Sequence, residues 1–307
     1  MTAEQFDYDV IVIGGGAAGL SGAITLARQR RRVLVLDSGE PRNAPAAGVH
    51  GFLGHDGISP LELLERGRAE LASYGGEFVA RAVESARPID RGFHVDGMTA
   101  RRLLVTTGLV DELPDVPGLR DRWGHDVVHC PYCHGWEVRG QPIAVLASNP
   151  MAAHQAMLFS QLSDDVTLLL NGQLPPDELT AAKLARRGVA VVAGRVERIE
   201  LTGDRISGVR LVDGTIVPCT TVTVASRVLA RSSVLDELGL KAEPFLVGDL
   251  DLGTYVPADP TGRTAVPGGF VAGNVTNPML QVVHAAGAGV AAAAALNMDL
   301  IEEDAAR

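Results

Sequence analysis

The sequence predicts an α/β protein carrying two dinucleotide-type βαβ folds, and two observations support that expectation. Residues 10–13 (VIVI) form a continuous apolar run, suited to a strand buried on both faces. A glycine-rich turn at 14–19 follows, then a helical stretch to Arg28, then a second apolar run at 33–36 closed by Asp37. That order is a strand–helix–strand unit with a parallel sheet. The same order recurs in degenerate form. Residues 143–146 (IAVL) match the first strand, 147–152 the turn, 153–162 the helix and 166–170 the second strand.

Shorter strands are expected at 92–95, 103–105, 189–192, 209–211 and 221–224, each near turn residues. The chain should close with a strand at 269–272, a Gly273–Asn274 turn and a long small-residue helix from about Gln281. Proline-containing crossings at 114–118 and 242–244 suggest domain limits, because proline interrupts regular structure. The expected division is 1–113, 114–244 and 245–307.

Composition narrows the function classes. Of the 307 residues 46% are hydrophobic, enough for sizeable cores, and the net charge is −10. An acidic chain is a poor partner for nucleic acid or an anionic membrane, so neither is expected. The basic run Arg28, Arg30, Arg31 and Arg32 falls where the first helix should end, which suits solvated cations at a helix C-terminus. Residues 1–9 have no leader pattern. The nearly apolar stretch 282–296 is shorter than the roughly 20 residues of a spanning helix. A cytoplasmic location is expected. Three cysteines cannot make a disulfide framework, and a close pair in a reducing compartment is more often catalytic or metal-binding.

Gly14, Gly16 and Gly19 form G-x-G-x-x-G between the first strand and helix. Gly14 permits the tight turn. Gly16 lets a pyrophosphate approach the N–H groups at the helix start, around Ala17 and Ala18. Gly19 lets helix and strand pack closely. Asp37 is placed to accept hydrogen bonds from ribose hydroxyls. The second copy has no glycine at the three matching positions. Asn149 adds a side chain where phosphate should approach, and Pro150 lacks an N–H. No basic residue follows the second strand, where Asn171, Gly172 and Gln173 stand. This fold is expected to bind NAD(P)H poorly or not at all.

Cys130-Pro131-Tyr132-Cys133-His134-Gly135 is C-x-x-C-H. A redox dithiol is the leading reading. A haem attachment site, a zinc site completed by Cys219 and His129, and a merely buried pair are the alternatives. Pro131 suits the first position of a helix, and a helix N-terminus favours thiolate. His134 would stabilise thiolate when protonated, act as a general acid–base, or simply cap the turn. Cys219, beside a strand-like run, reads as a buried inert thiol. Tyr132 and Trp136 either shape a substrate pocket or pack.

Together these residues resemble the low-molecular-weight thioredoxin reductase family over essentially the whole chain. The order matches: glycine loop, Thr106-Thr107-Gly108, the C-x-x-C before the second fold, then 261–264 (TGRT), 266–274 (VPGGFVAGN), Gln281 and 285–289 (AAGAG). The resemblance implies two Rossmann-like domains of the three-layer ββα type, with the FAD domain discontinuous, and a homodimer. It implies FAD as cofactor, with Thr107, Gly108, Gly273, Asn274 and Gln281 beside it. The loop from Arg42 and Asn43 to Gly54 is a candidate lining of the isoalloxazine. Cys133 would face the flavin and Cys130 would exchange with substrate. Asn274 replaces the family's usual aspartate, and His134 replaces its acid after the second cysteine. The CPYCHG motif is more similar to the dithiol oxidases of the gliotoxin and holomycin pathways. Those flavoenzymes oxidise a small-molecule dithiol and pass electrons to O2. The first expectation is therefore dithiol oxidation. The alternatives are reduction of a thioredoxin-like protein, with NADPH or a donor such as ferredoxin, and a non-enzymatic flavin redox sensor.

Overall fold

The computed structural model describes residues 6–306. The first apolar run lies in strand Tyr8–Ile13, whose last four residues are buried. It pairs in parallel with Val33–Asp37 on one side and Met98–Val105 on the other, with Val12 opposite Val35 and Leu104. Gly269–Val271 also joins Met98–Val105 in parallel, which brings the C-terminal segment into the first sheet. Helix Ala17–Arg28 begins three residues before the expected start, with Gly16 as its N-cap. It buries Leu20, Ala23, Leu26 and Ala27 on a cluster that includes Val10, Val35 and Leu104.

The closing helix, Val282–Ala305, shares that cluster through Ala292, Ala293, Leu296 and Leu300. Its small residues have a steric reason. A Cβ on Gly289 would lie 1.9 Å from the carbonyl oxygen of Ala18, so the two helix backbones touch there. Full burial of Leu296 and Leu300 contributes about 2 kcal/mol each. The helix runs nine residues past the apolar stretch read from sequence, and its length and apolarity would suffice to cross a membrane. In the fold one face is buried and its C-terminal turns carry ion pairs. Glu303 meets Arg102 at 3.0 Å and Arg101 at 3.2 Å, and Asp304 meets Arg31 at 2.8 Å. It is a core helix of the first unit.

The degenerate second copy is a separate five-stranded parallel sheet, in the order Ala190–Val192, Val166–Leu169, Ile143–Leu146, Thr221–Val224, Val127–Val128. Helix Ala152–Phe159 packs on it through Ala152, Ala156 and Phe159. An antiparallel ribbon of Val196–Thr202, Arg205–Leu211 and Ile216–Val217 completes this region.

By packing, the chain forms two compact units. One gathers the segment up to Ala44, Ile58–Val110 and everything from Val228; the other gathers Pro45–Gly57 and Asp111–Arg227. The crossing at 110/111 falls close to the limit 113/114 read from the prolines, whereas the crossing at 227/228 falls well before the limit 244/245. The second difference has a physical source. Val234, Leu235, Leu238 and Leu240 lie in the core of the first unit, with Ile11, Leu36 and Phe93.

Candidate functional site

In the first unit the glycine loop is held from both ends. Gly14 has φ of +102°, a conformation that favours glycine, and its carbonyl accepts a hydrogen bond from Thr106 Oγ1 at 2.7 Å. A Cβ on Gly19 would lie 1.8 Å from the Gly14 carbonyl oxygen, so loop and helix meet backbone to backbone. A Cβ on Gly16 would meet nothing within 4 Å, and no side chain caps the helix start at Ala17 and Ala18. Open space beside unclaimed helical N–H groups is what a pyrophosphate needs. Asp37 stands behind the loop. Its Oδ1 accepts from Gly15 N at 2.8 Å and its Oδ2 from Gly39 N at 3.1 Å. The remaining carboxylate lone pairs are available to ribose hydroxyls. These residues fit a dinucleotide.

The C-terminal turn joins the same place. A Cβ on Gly273 would sit 2.8 Å from Ala18 Cβ. Asn274 Nδ2 donates to Leu280 O at 2.9 Å and to Asn277 O and Pro278 O, both at 3.3 Å. Gln281 is the N-cap residue of the closing helix. An aspartate at 274 would lack the donor and face three carbonyls. Asn274→Asp is therefore expected to cost roughly 1–3 kcal/mol at neutral pH. The folded state would raise that carboxyl's pKa, because only the protonated form can donate. The loss should then be complete at high pH and shrink as pH falls through the raised pKa. Urea denaturation at two pH values checks this.

Within the TTG run, Thr106 turns inward onto the loop. Its buried hydroxyl, bonded to Gly14 O and Ile13 O, makes it a loop-positioning residue. Thr107 and Gly108 hold a neighbouring segment instead. Thr107 Oγ1 donates to Arg231 O at 2.6 Å, and Arg231 N donates to Gly108 O at 3.0 Å. Arg231 also reaches Glu40 O at 3.2 Å. Asn43 lies in a turn of the first unit, half-buried.

The second loop is closed on itself. Asn149 Oδ1 accepts from Met151 N at 2.9 Å, and Asn149 Nδ2 and Ser148 Oγ donate to Ala225 O. An N–H that a phosphate would claim at the start of helix Ala152–Phe159 is already bonded, and Pro150 supplies none.

The dithiol opens a single helical turn, Pro131–His134, with Cys130 as N-cap and Pro131 at its first position. Cys130 O accepts from Cys133 N at 3.2 Å and His134 N at 3.1 Å, so the backbone turn holds the two half-buried cysteines together. Gly135 is required where this turn ends, since an added Cβ would lie 2.2 Å from the Pro131 carbonyl oxygen and 2.3 Å from Leu162 Cδ1. Cys219 is buried in the core, and burial pushes its thiol up to about 12. Among the described residues no three potential metal ligands cluster, so Cys219 and His129 do not complete a zinc site with the pair.

His134 is half-buried, and its Nε2 is buried without a hydrogen-bond partner. Burial lowers its pKa most; Glu137 raises it, while His50 and His129 lower it further. At neutral pH the ring is neutral. Of the roles the sequence leaves open for His134, the lowered pKa favours the general acid–base over a thiolate-stabilising imidazolium. The depressed pKa means the folded state binds fewer protons than the unfolded chain. Stability should therefore fall as pH drops below the unfolded histidine value of about 6.5. His134→Gln should flatten that limb of a stability–pH curve.

Glu137 has a second partner absent from the sequence reading. His50 Nε2 lies 3.4 Å from Glu137 Oε1, and His50 Nδ1 lies 3.1 Å from Asp56 Oδ1. Segment Pro45–Gly57 thus packs within the second unit. Tyr132 and Trp136 are exposed, at 72% and 66%, so neither is a core packing residue. The Arg139 guanidinium stacks 4.0 Å above the Trp136 ring.

Comparison with known proteins agrees with this arrangement. Residues 8–289 match the family model of pyridine nucleotide-disulphide oxidoreductases. The thioredoxin reductase tcpT of Claviceps purpurea is 32% identical, over 87% of this chain and 86% of its own length. The thioredoxin reductase sirT of Leptosphaeria maculans is 30% identical, over 97% and 95%. The crystal structure of HlmI is 44% identical, with a TM-score of 0.89, covering 100% of this chain and 96% of that one.

Proposed function

Since the chain belongs to the pyridine nucleotide-disulphide oxidoreductase family, an enzyme family of redox catalysts, we propose that it is an FAD-dependent dithiol oxidase using Cys130 and Cys133. The observation that carries the direction of electron flow is the self-capped second loop. Asn149 claims the helix N–H and Pro150 removes another, while the Gly16 cradle stays open. One nucleotide site is built for a ligand, and the other is not.

Gly14, Gly16, Gly19 and Asp37 would hold the cofactor, with Gly273, Asn274 and Gln281 at its far end. Thr107, Gly108 and Asn43 lie along the same unit. FAD supplies a two-electron acceptor that restores the Cys130–Cys133 disulfide and delivers the electrons to O2 as peroxide. The protein's own chemistry is thiol–disulfide exchange. One substrate thiolate attacks Cys130 of the disulfide, and Cys133 leaves as thiolate. The second substrate thiolate attacks the substrate sulfur of the mixed disulfide, and Cys130 leaves. The substrate becomes a disulfide and both protein cysteines become reduced. Neutral His134 takes up a proton released in these steps. In this reading the chain works in the cytoplasm as a homodimer, without NAD(P)H.

Oxygen uptake with a small dithiol and no nicotinamide tests this directly. One peroxide per disulfide formed is expected. Uptake that begins only on adding NADPH would overturn the oxidase direction. It would favour the second reading, reduction of a thioredoxin-like partner, the activity for which the fungal relatives are named.

A further inference from the structure

We infer that a cleft beside the dithiol helix binds the non-reacting part of a small dithiol substrate: an apolar chain ending in a carboxylate. This rests on the oxidase reading above. The cleft lies within the second unit and measures about 560 Å³, inside the range of small-molecule sites. Its apolar lining is Met157, Leu158 and Leu162, from helix Ala152–Phe159 and the turn after it. One wall is Pro131 and Tyr132, the two residues between the cysteines. The lining also carries Lys183 and Arg186, from helix Glu178–Arg186.

The next residue, Arg187, builds the cleft. Its Nη2 donates to Ser160 O at 2.8 Å and its Nε to Ser160 Oγ at 3.0 Å. This ties the ends of the two helices together. Lys183 and Arg186 are not so committed. Both are exposed, and among the described residues neither has an ion-pair partner. Their place in the last helical turn gives cations a modest dipole benefit. It gives no reason for apolar surface to lie open between them and an exposed tyrosine. A ligand with an apolar chain and a terminal anion satisfies both surfaces at once. In a chain of net charge −10, two uncompensated cations over an apolar floor are a local exception that attracts an anion. Cys130 and Cys133 are not in the lining, but Pro131 and Tyr132 between them are, so a chain seated at that wall lies next to the turn that carries the dithiol.

Dihydrolipoate and dihydrolipoamide test this, since they share dithiol and chain and differ in the carboxylate. The KM for dihydrolipoate is expected to be lower by roughly fivefold, the scale of an exposed ion pair or two. In K183Q/R186Q the ratio of the two KM values should approach one, and high salt should have the same effect on the wild type. Calorimetric titration with lipoate and lipoamide gives the same comparison without turnover. L158E, which puts a carboxylate on the floor, should abolish lipoate binding while keeping the wild-type melting temperature. Equal KM values for the two dithiols, or a preference that survives K183Q/R186Q, would overturn the assignment. If neither dithiol is turned over but calorimetry still shows the lipoate preference, the cleft stands and the oxidase reading falls.

Discussion

Cys133→Ser is expected to lower dithiol-driven oxygen uptake by about a thousandfold or more, because no other thiol can take its place. Cys219 is the only other cysteine besides Cys130, and it is sealed in the core with its thiol pushed up to about 12. The two members of the pair should fail differently. Cys133→Ser keeps the exchanging thiol, so the Cys130 thiolate should still attack an added small-molecule disulfide, release one thiol and retain the other half as a mixed disulfide on Cys130, visible by mass spectrometry. Cys130→Ser should give the same loss of turnover with no such adduct. Cys219→Ser should keep turnover and lose only stability, by about 1–2 kcal/mol for a hydroxyl buried in an apolar cluster. Substantial activity in either Cys130→Ser or Cys133→Ser would remove the dithiol from the chemistry.

The second large effect separates two glycines of one motif. Gly19→Ala would drive a Cβ to 1.8 Å from the Gly14 carbonyl, backbone against backbone, with no flexible atom to yield. It should destabilise the flavin-free protein by about 3 kcal/mol or more. Gly16→Ala meets no protein atom within 4 Å. The flavin-free protein should melt within about 1 kcal/mol of wild type, yet flavin affinity should fall by roughly tenfold or more, since the methyl group fills the pyrophosphate approach. Thermal melts of the apoprotein and flavin titrations measure the two effects separately. A Gly16→Ala protein that keeps its flavin at wild-type affinity would place the cofactor elsewhere.

Much of this was legible because the signals were local. Buried parallel strands advertise themselves as VIVI and IAVL, and the glycine loop has a steric reason at each position. Pro131 fixes where the dithiol helix begins, and the structure starts it there. What escaped the sequence depends on partners distant along the chain. Nothing near His50 announces Glu137, 87 positions away, and nothing in residues 45–57 announces that they pack within the second unit. In the TTG run the signal did not say which hydroxyl turns inward. Thr106 grips the loop while Thr107 holds Arg231. Asn274 read as a muted aspartate. Its three carbonyl partners show a donor that an aspartate could not supply. Nothing in the sequence around Lys183 and Arg186 announces that they line one cleft with Leu158 and Tyr132.

The central claim is that electrons enter from a dithiol and that no nicotinamide site exists at residues 147–152. Anaerobic stopped-flow bleaching of the flavin-loaded protein tests it most directly, with a small dithiol in one syringe experiment and NADPH in another. The account predicts rapid bleaching by the dithiol, loss of that bleaching in Cys133→Ser, recovery of the flavin colour on admitting air, and no comparable bleaching by NADPH. Rapid bleaching by NADPH would contradict it. The self-capped Asn149 loop would then have to open to bind nicotinamide, and the enzyme would run as a reductase.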